Sequence, residues 1–230
     1  MRVLDHGYVI CHGVFGSDLT VVNAARASYG VRHTTFDERD RRLLRYLWVH
    51  GHTSPFYHPK LQFEVSAPLM VARQWWKHVV DSAHTMETPA WNELSRRYTV
   101  AEPTFYIPAE WRRASATNKQ ASAEPLDPAA SSRWADRLRA HVEAGLALYR
   151  EALADGIAAE QARAFLPANI QYTTWYWTAS LYAVLHFLRL RQHADAQVEI
   201  QAYARAIAGI VADAFPETWA VVREHPEPGR

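Results

Sequence analysis

Cysteine is almost missing from this chain of 230 residues, Cys11 being the only one. A lone thiol excludes an internal disulfide framework and a cysteine-built zinc site, and it suits a reducing compartment. An excess of either charge is missing too, with 25 basic against 24 acidic residues and a formal net charge of +1. No broad field therefore gathers nucleic acid or anionic lipid, and any anion site has to be local. No apolar run approaches the roughly 18 residues of a membrane span, and Met1 to Val9 has no basic stretch followed by an apolar one. The expectations are no leader, no membrane or nucleic-acid partner, and a cytoplasmic location. Internal repeats are absent as well.

Apolar residues make up 49% of the chain, enough for a substantial core, and one domain spanning residues 1–230 is expected. Tyr8 to Val14 reads as a β-branched strand. Ser17 or Asp18 then caps a helix that runs to about Ser28 and ends at Gly30. Thr35 to His50 carries early acids and Leu43, Leu44, Leu47 and Trp48 at helical spacing, with Gly51 just beyond. Leu61 to Ala67 alternates apolar and polar residues, the mark of a half-buried strand. Pro68 reads as the opening of a helix through Val80. Residues 114–132, rich in Ala, Ser, Pro and Asn without apolar period, are expected as a long exposed loop. A long helix from Trp134 to about Asp155, a short one ending at Pro167, a strand over Gln171 to Trp177, and helices over Ala179 to Arg191 and Ala196 to Phe215 follow.

Several segments carry candidate chemistry. Arg73 and Lys77, like Gln74 and His78, stand one turn apart on the helix after Pro68, and their rows are either a solvated face or a ligand face. Leu181, Val184, Leu185 and Leu188 form an apolar stripe that Arg191 continues. That guanidinium either snorkels and caps the helix or contacts a ligand. Asn92 to Tyr98 packs a carboxylate, a hydroxyl and two guanidiniums into one segment, either a surface turn or an anion site built on arginine forks. Arg163, ahead of Leu166 and Pro167, is a further candidate. His50, His52 and His58 lie close together, but Gly51 and Pro55 break the segment and no helical ligand pairing is present, so no metal is expected. Cys11 reads as a packed thiol and Ser95 as a hydrogen-bonding group, neither as a nucleophile.

In order along the chain stand Asn23-Ala24-Ala25-Arg26-Ala27-Ser28-Tyr29-Gly30, His50-Gly51-His52 with Ser54-Pro55-Phe56 and His58, and Val71-Ala72-Arg73-Gln74-Trp75-Trp76. Asn92-Glu93-Leu94-Ser95 with Arg97-Tyr98, Ala162-Arg163 before Leu166-Pro167, His186-Phe187-Leu188 with Leu190-Arg191, and Ala196-Gln197 before Glu199-Ile200 follow. This series resembles the flavin-dependent thymidylate synthases over nearly the whole chain. The resemblance implies an α/β (α+β) fold with a mixed sheet and long helices, assembled as a homotetramer with active sites between subunits. It implies FAD as cofactor, methylenetetrahydrofolate as one-carbon donor, NADPH as reductant, and UMP or dUMP as the nucleotide methylated at C5. By the same resemblance Gln74, Lys77, Glu93, Leu94, Ser95, Arg96, Arg97, Arg163 and Arg191 would hold the nucleotide. Ser28, His52, Ser54, Lys77, His78, Val79, Asn92, Glu93, Ser180 and Tyr182 would line the flavin. Arg191 would be catalytic, its cation stabilising charge that builds on the uracil ring as C5 becomes nucleophilic.

Departures from the family pattern cluster at this pocket. Its Arg-His-Arg triplet is here Lys77-His78-Val79, an extra stretch covers Ala83 to Ala90, Tyr57 stands where an acid is usual, and Ser180 and Tyr182 stand where Asn and Arg are common. A lysine cannot reproduce a bidentate fork. This rebuilt pocket resembles the branch that methylates UMP as well as dUMP in polyoxin-type nucleoside antibiotic pathways. A dUMP-specific synthase is the alternative within the same chemistry. A non-catalytic nucleotide or single-strand binder with aromatic stacking platforms is the alternative outside it, and the near-zero charge argues against that one.

Overall fold

The structure, a computed structural model, describes residues 1–78, 91–95, 102–116, 118 and 122–229. At its centre β3 (Lys60–Pro68) sends Leu61, Phe63 and Val65 to a fully buried face while Gln62 is exposed and Glu64 half-exposed. That two-residue period is the alternation expected of a strand with one wet side. On one flank β3 pairs with β2 (Gly7–Phe15), and on the other with β7 (Tyr172–Ser180). The two-residue β1 (Arg2–Val3) and β4 (Trp91–Glu93) complete the order β1-β2-β3-β7-β4.

A mixed sheet is the sequence expectation, yet every pairing in this sheet among the described residues is antiparallel. The register gives the reason. The chain leaves β2 at Phe15 and re-enters the sheet directly opposite, at Lys60. After Pro68 it passes through the edge strand β4 and enters β7 opposite Pro68, at Tyr172. Both long excursions begin and end at the same end of the sheet, so neither is the crossover that parallel pairing needs.

The apolar face is covered by α3 (Leu69–Trp76), α6 (Leu181–Arg191) and α7 (Val198–Ala214). Trp75 sits at the hub, stacked on Phe187 at 4.4 Å and edge-on to Trp175 and Trp177 at 5.4 and 5.3 Å. Truncating such a ring to alanine costs about 3–5 kcal/mol, so this hub fixes where α3 and α6 end. α3 stops at Trp76 rather than running to Val80, with the His78 N–H tightening back to the Trp75 carbonyl at 2.8 Å. Pro68 closes β3 and caps α3 instead of opening it.

A second group joins α1 (Asp18–Arg26), α2 (Glu38–Val49) and α8 (Pro216–Glu224). The buried Asp18 accepts from the Glu217 and Thr218 N–H groups and from the Thr218 hydroxyl, tying the start of α8 to α1. Asp37 caps α2 by accepting from the Arg39 and Asp40 N–H groups. The long α4 (Pro128–Ala154) forms a satellite core with Phe105, Ala162 and Leu166.

The loop expected over 114–132 is shorter than that. Ser122–Pro125 forms strand β6, paired with β5 (Arg112–Ala114), and α4 begins at Pro128. The physical reason is local: Asp127 accepts from the Ala130 N–H at 2.8 Å and Pro128 takes the first helical position, where its missing N–H costs nothing.

Candidate active site

Two cavities and the cation of Arg191 hold most of the sequence candidates that fall among the described residues. The first cavity forms where β4 runs along β7. The Leu94 N–H donates to the Thr174 carbonyl at 2.9 Å, and the Thr173 hydroxyl donates to Glu93 Oε1 at 2.7 Å. Arg163 arrives from the far side on the single turn Arg163–Phe165, its Nε donating to the Glu160 carbonyl at 3.0 Å. Glu93, Leu94, Ser95 and Arg163 line a cleft of about 540 Å³ together with Leu69, Gln171 and Thr173. That size suits a small organic ligand. Its lining offers an oriented carboxylate acceptor, Glu93, and an exposed guanidinium, Arg163.

That turn is held by a close approach. A Cβ built on Gly145 of α4 would lie 2.8 Å from the Phe165 carbonyl and 3.3 Å from Pro167 Cδ. Only a residue without a side chain lets α4 pass so near the segment that carries Arg163.

The second cavity, of about 650 Å³, lies between α1, α2 and the turn Ser54–Tyr57, with Ser28, Tyr46, His52, Ser54 and His58 in its wall. Gly30 and Gly51, at φ of 66° and 72°, end the two helical segments and turn the chain around its mouth. Tyr46 is half-exposed and stacks on His50 at 4.1 Å and on His52 at 5.8 Å, giving the cavity an aromatic edge. A planar heteroaromatic cofactor fits this chemistry: a broad cradle, a ring edge to stack on, and the Ser28 and Ser54 hydroxyls as polar partners. His50, His52 and His58 form no metal-ligand group. The one such group among the described residues is His33, Asp37 and Asp40, where Asp40 already meets Arg26, the Asp37 N–H and His33.

Ser180 and Tyr182 do not join that cavity. Ser180 is fully buried and caps α6, its hydroxyl accepting from the Ala183 N–H at 3.1 Å. Tyr182 packs edge-on to Tyr57 at 5.0 Å and lines a small hollow beside Trp48 and Pro226. Asn92 is exposed on β4 and Lys77 is exposed at the end of α3. Gln74 donates to Gln197 Oε1 at 2.5 Å and to the Met70 carbonyl at 3.2 Å. Val79, Arg96 and Arg97 lie outside the described residues.

Arg191 stands apart from both cavities, half-buried at the end of α6. Its Nε donates to His78 Nε2 at 2.8 Å. Burial lowers the Arg191 pKa. Burial first, and then the charge of Arg191 and the nearby His186, push His78 down to about 4. No carboxylate meets this guanidinium among the described residues. The apolar stripe of α6 made Arg191 visible in sequence, but its pairing with a histidine 113 positions away was not. Thr173, Gln171 and Tyr46 also escaped sequence reading, since a threonine in a strand and a tyrosine on a helix carry no signal of their own.

Residues 12–217 match the model of a family described as thymidylate synthase complementing protein. A flavin-dependent thymidylate synthase of Thermus thermophilus is 42% identical over 224 residues, covering 97% of this chain and 78% of that protein. The flavin-dependent thymidylate synthase of Thermosipho africanus is 38% identical over 218 residues, covering 95% and 91%. Among solved structures, the UMP/dUMP methylase PolB from Streptomyces cacaoi, bound with 5-Br UMP, is similar with a TM-score of 0.82 at 27% identity, over 97% of this chain and 95% of that one. The same enzyme bound with 5-Br dUMP gives a TM-score of 0.83 at 27% identity, over 97% of each chain.

Proposed function

From the premise that the chain belongs to the thymidylate synthase complementing protein family, the flavin-dependent thymidylate synthases, we propose that it methylates C5 of dUMP reductively, with methylenetetrahydrofolate as carbon donor and NADPH as reductant. The observation that carries this reading is the first cleft, where Glu93, Leu94 and Ser95 meet Arg163 from a distant stretch of chain. An arginine fork there suits a phosphate, and the Thr173-held Glu93 suits a donor on the nucleotide. Arg191 supplies the cation for the electron-rich uracil edge, where charge collects as C5 attacks carbon. Since Arg191 does not line the cleft of its own chain, the reading includes a homotetramer in which one chain's Arg191 completes another chain's cleft.

Ser28, His52 and Ser54 would hold the flavin in the second cavity, with Tyr46 along its edge. When bound, FAD would supply the one-carbon relay and the hydride that turn the methylene of the folate into the methyl of the product, NADPH then returning it to the reduced form. The chain's own part is to bind, orient and polarise.

A second reading, acceptance of UMP as well and service in nucleoside antibiotic synthesis, is favoured by the fold likeness to PolB and by Lys77-His78-Val79 in place of the arginine-rich triplet. A site that hydrogen-bonds the ribose 2′-hydroxyl discriminates strongly between the two nucleotides, whereas a merely roomy site accepts both. Full-length protein incubated with FAD, NADPH, methylenetetrahydrofolate and either nucleotide should yield a product heavier by one methylene unit. Product from dUMP alone selects the first reading, product from both selects the second, and product from neither overturns the proposal.

A further inference from the structure

Four guanidiniums among the described residues are partly sheltered, and one of them, Arg189, meets Glu227 at 3.8 Å. Arg26 meets the buried Asp40, and Arg112 meets the buried Glu199 at 2.7 Å. Arg191 meets an imidazole instead. An imidazole nitrogen accepts a hydrogen bond only while it carries no proton, so this contact requires a neutral ring with its hydrogen on Nδ1.

We propose that His78 is a positioning residue for Arg191, a neutral acceptor that clamps the Nε edge of the guanidinium and leaves both terminal nitrogens free to face an anionic or electron-rich ligand. The inference rests on the reading of Arg191 as the cation at the pyrimidine. A carboxylate at position 78 would clamp equally well, but it would cancel the charge and compete for the fork. The imidazole engages one of the guanidinium's five N–H donors and leaves the charge whole. No other partner of Arg191 occurs among the described residues.

The surroundings keep the clamp rigid and uncharged. The His78 backbone is tied to Trp75, which is wholly buried at the aromatic hub. Its ring lies edge-on to Phe187 at 5.2 Å. Among the described residues the titratable or charged groups around it are Arg191 and His186 on α6, the latter at 5.9 Å and itself touched by Arg189, with Lys77 as its chain neighbour. Burial is the main cause that discourages a proton on His78, and Arg191 and His186 add to it. The acceptor state therefore persists across the neutral range.

His78→Phe keeps the ring and removes the acceptor, while His78→Gln restores a neutral acceptor at similar reach. With flavin-loaded protein, His78→Phe should lower kcat by about 10- to 100-fold, as expected when a charge-stabilising donor is mis-aimed. Flavin content should change little, because His78, expected from the sequence to line the flavin, is not in the wall of the second cavity. His78→Gln should recover most of the loss. Nitrogen NMR of the wild-type imidazole should report the Nδ1-protonated neutral tautomer at pH 7, a readout independent of turnover. An unchanged kcat in His78→Phe, loss of flavin in place of loss of turnover, or an Nε2-protonated ring overturns the inference. Arg191→Leu separates the two levels: if that variant methylates normally the reading of Arg191 fails, whereas if it is inactive and His78→Phe is not, only the positioning role falls.

Discussion

Arg26 and Arg191 are both withdrawn from bulk water, yet one is neutralised by its surroundings and the other is not. Arg26 is paired with Asp40, which also accepts from the Asp37 N–H and contacts His33. Burial alone would raise the Asp40 carboxyl, but those three partners together hold it below the usual carboxylate range. Among the described residues Arg191 has only an uncharged acceptor, and its own affinity for the proton is lowered by burial. Among the described residues one cation is saturated by a carboxylate and the other has a neutral partner, the arrangement expected of a cation held for a ligand.

Removing each arginine's role should separate the two regions. Arg191→Leu is expected to lower the methylation rate on the order of 10³-fold, about 4 kcal/mol in the barrier, as for loss of an aimed charge-stabilising donor. Its melting temperature should not fall, because the residue removed is a desolvated cation with no ion-pair partner among the described residues. Single-turnover product formation and a thermal melt on the same sample test both halves, and an unstable Arg191→Leu would erase the contrast. Asp40→Ala should do the reverse. It strands Arg26 and opens the cap of α2, so urea unfolding should report a loss of about 3 kcal/mol.

The two regions were not equally legible in the sequence. The Arg26–Asp40 corner lies within short helices whose capping acid, Asp37, and terminal Gly30 are local signals, so its scaffold could be read directly. The strands expected over Leu61 to Ala67 and Gln171 to Trp177 announced themselves through alternation and through Thr, Tyr and Trp content, although the second runs on to Ser180, past Ala179 where a helix was expected to begin. α4 was half hidden because Pro128-Ala-Ala-Ser-Ser has no apolar period, and there the cap alone starts the helix. α8 was missed because Pro216 restarts a helix immediately after α7 ends. Convergence of Glu93 with Arg163, and of Arg191 with His78, depends on the sheet register and on packing around Trp75. No spacing in the chain encodes those, and only family resemblance brought the residues onto one list.

Acid should reach the two regions at different pH. The folded pKa of His78, about 4, lies below its unfolded value of roughly 6.5. The unfolded chain therefore binds more protons through that window, and stability falls as the pH drops from about 6.5 to 4. Asp40 and Glu199 are held below the ordinary carboxylate range, so their contribution is fully present above an unfolded pKa of roughly 4 and disappears only below it. Unfolding free energy followed from pH 7 to 3 should thus decline in two limbs, the upper one worth about 2 kcal/mol. In His78→Phe the upper limb should flatten while the lower one stays. A single limb below pH 4 in the wild type would place the two regions on the same footing.

Arg163 supplies the smallest effect and a third kind of surrounding, since it is exposed and is aimed through backbone. Its Nε rests on the Glu160 carbonyl, and the turn that presents it is pressed against Gly145, where an added Cβ would come within 2.8 Å of the Phe165 carbonyl. A backbone oxygen cannot rotate away as a side chain can, so Gly145→Ala has to move α4 or the turn. Overpacking of this kind costs about 1 kcal/mol or somewhat more. Because the satellite core around Leu146 and Leu166 resists movement of the helix, the displacement should fall on the turn and carry Arg163 with it. The nucleotide KM should then rise several-fold while kcat, which the proposed function assigns to Arg191, holds. Steady-state kinetics on the variant decides this: a fall in kcat at constant KM would mean that Arg163 and Arg191 act as one unit rather than as anchor and activator.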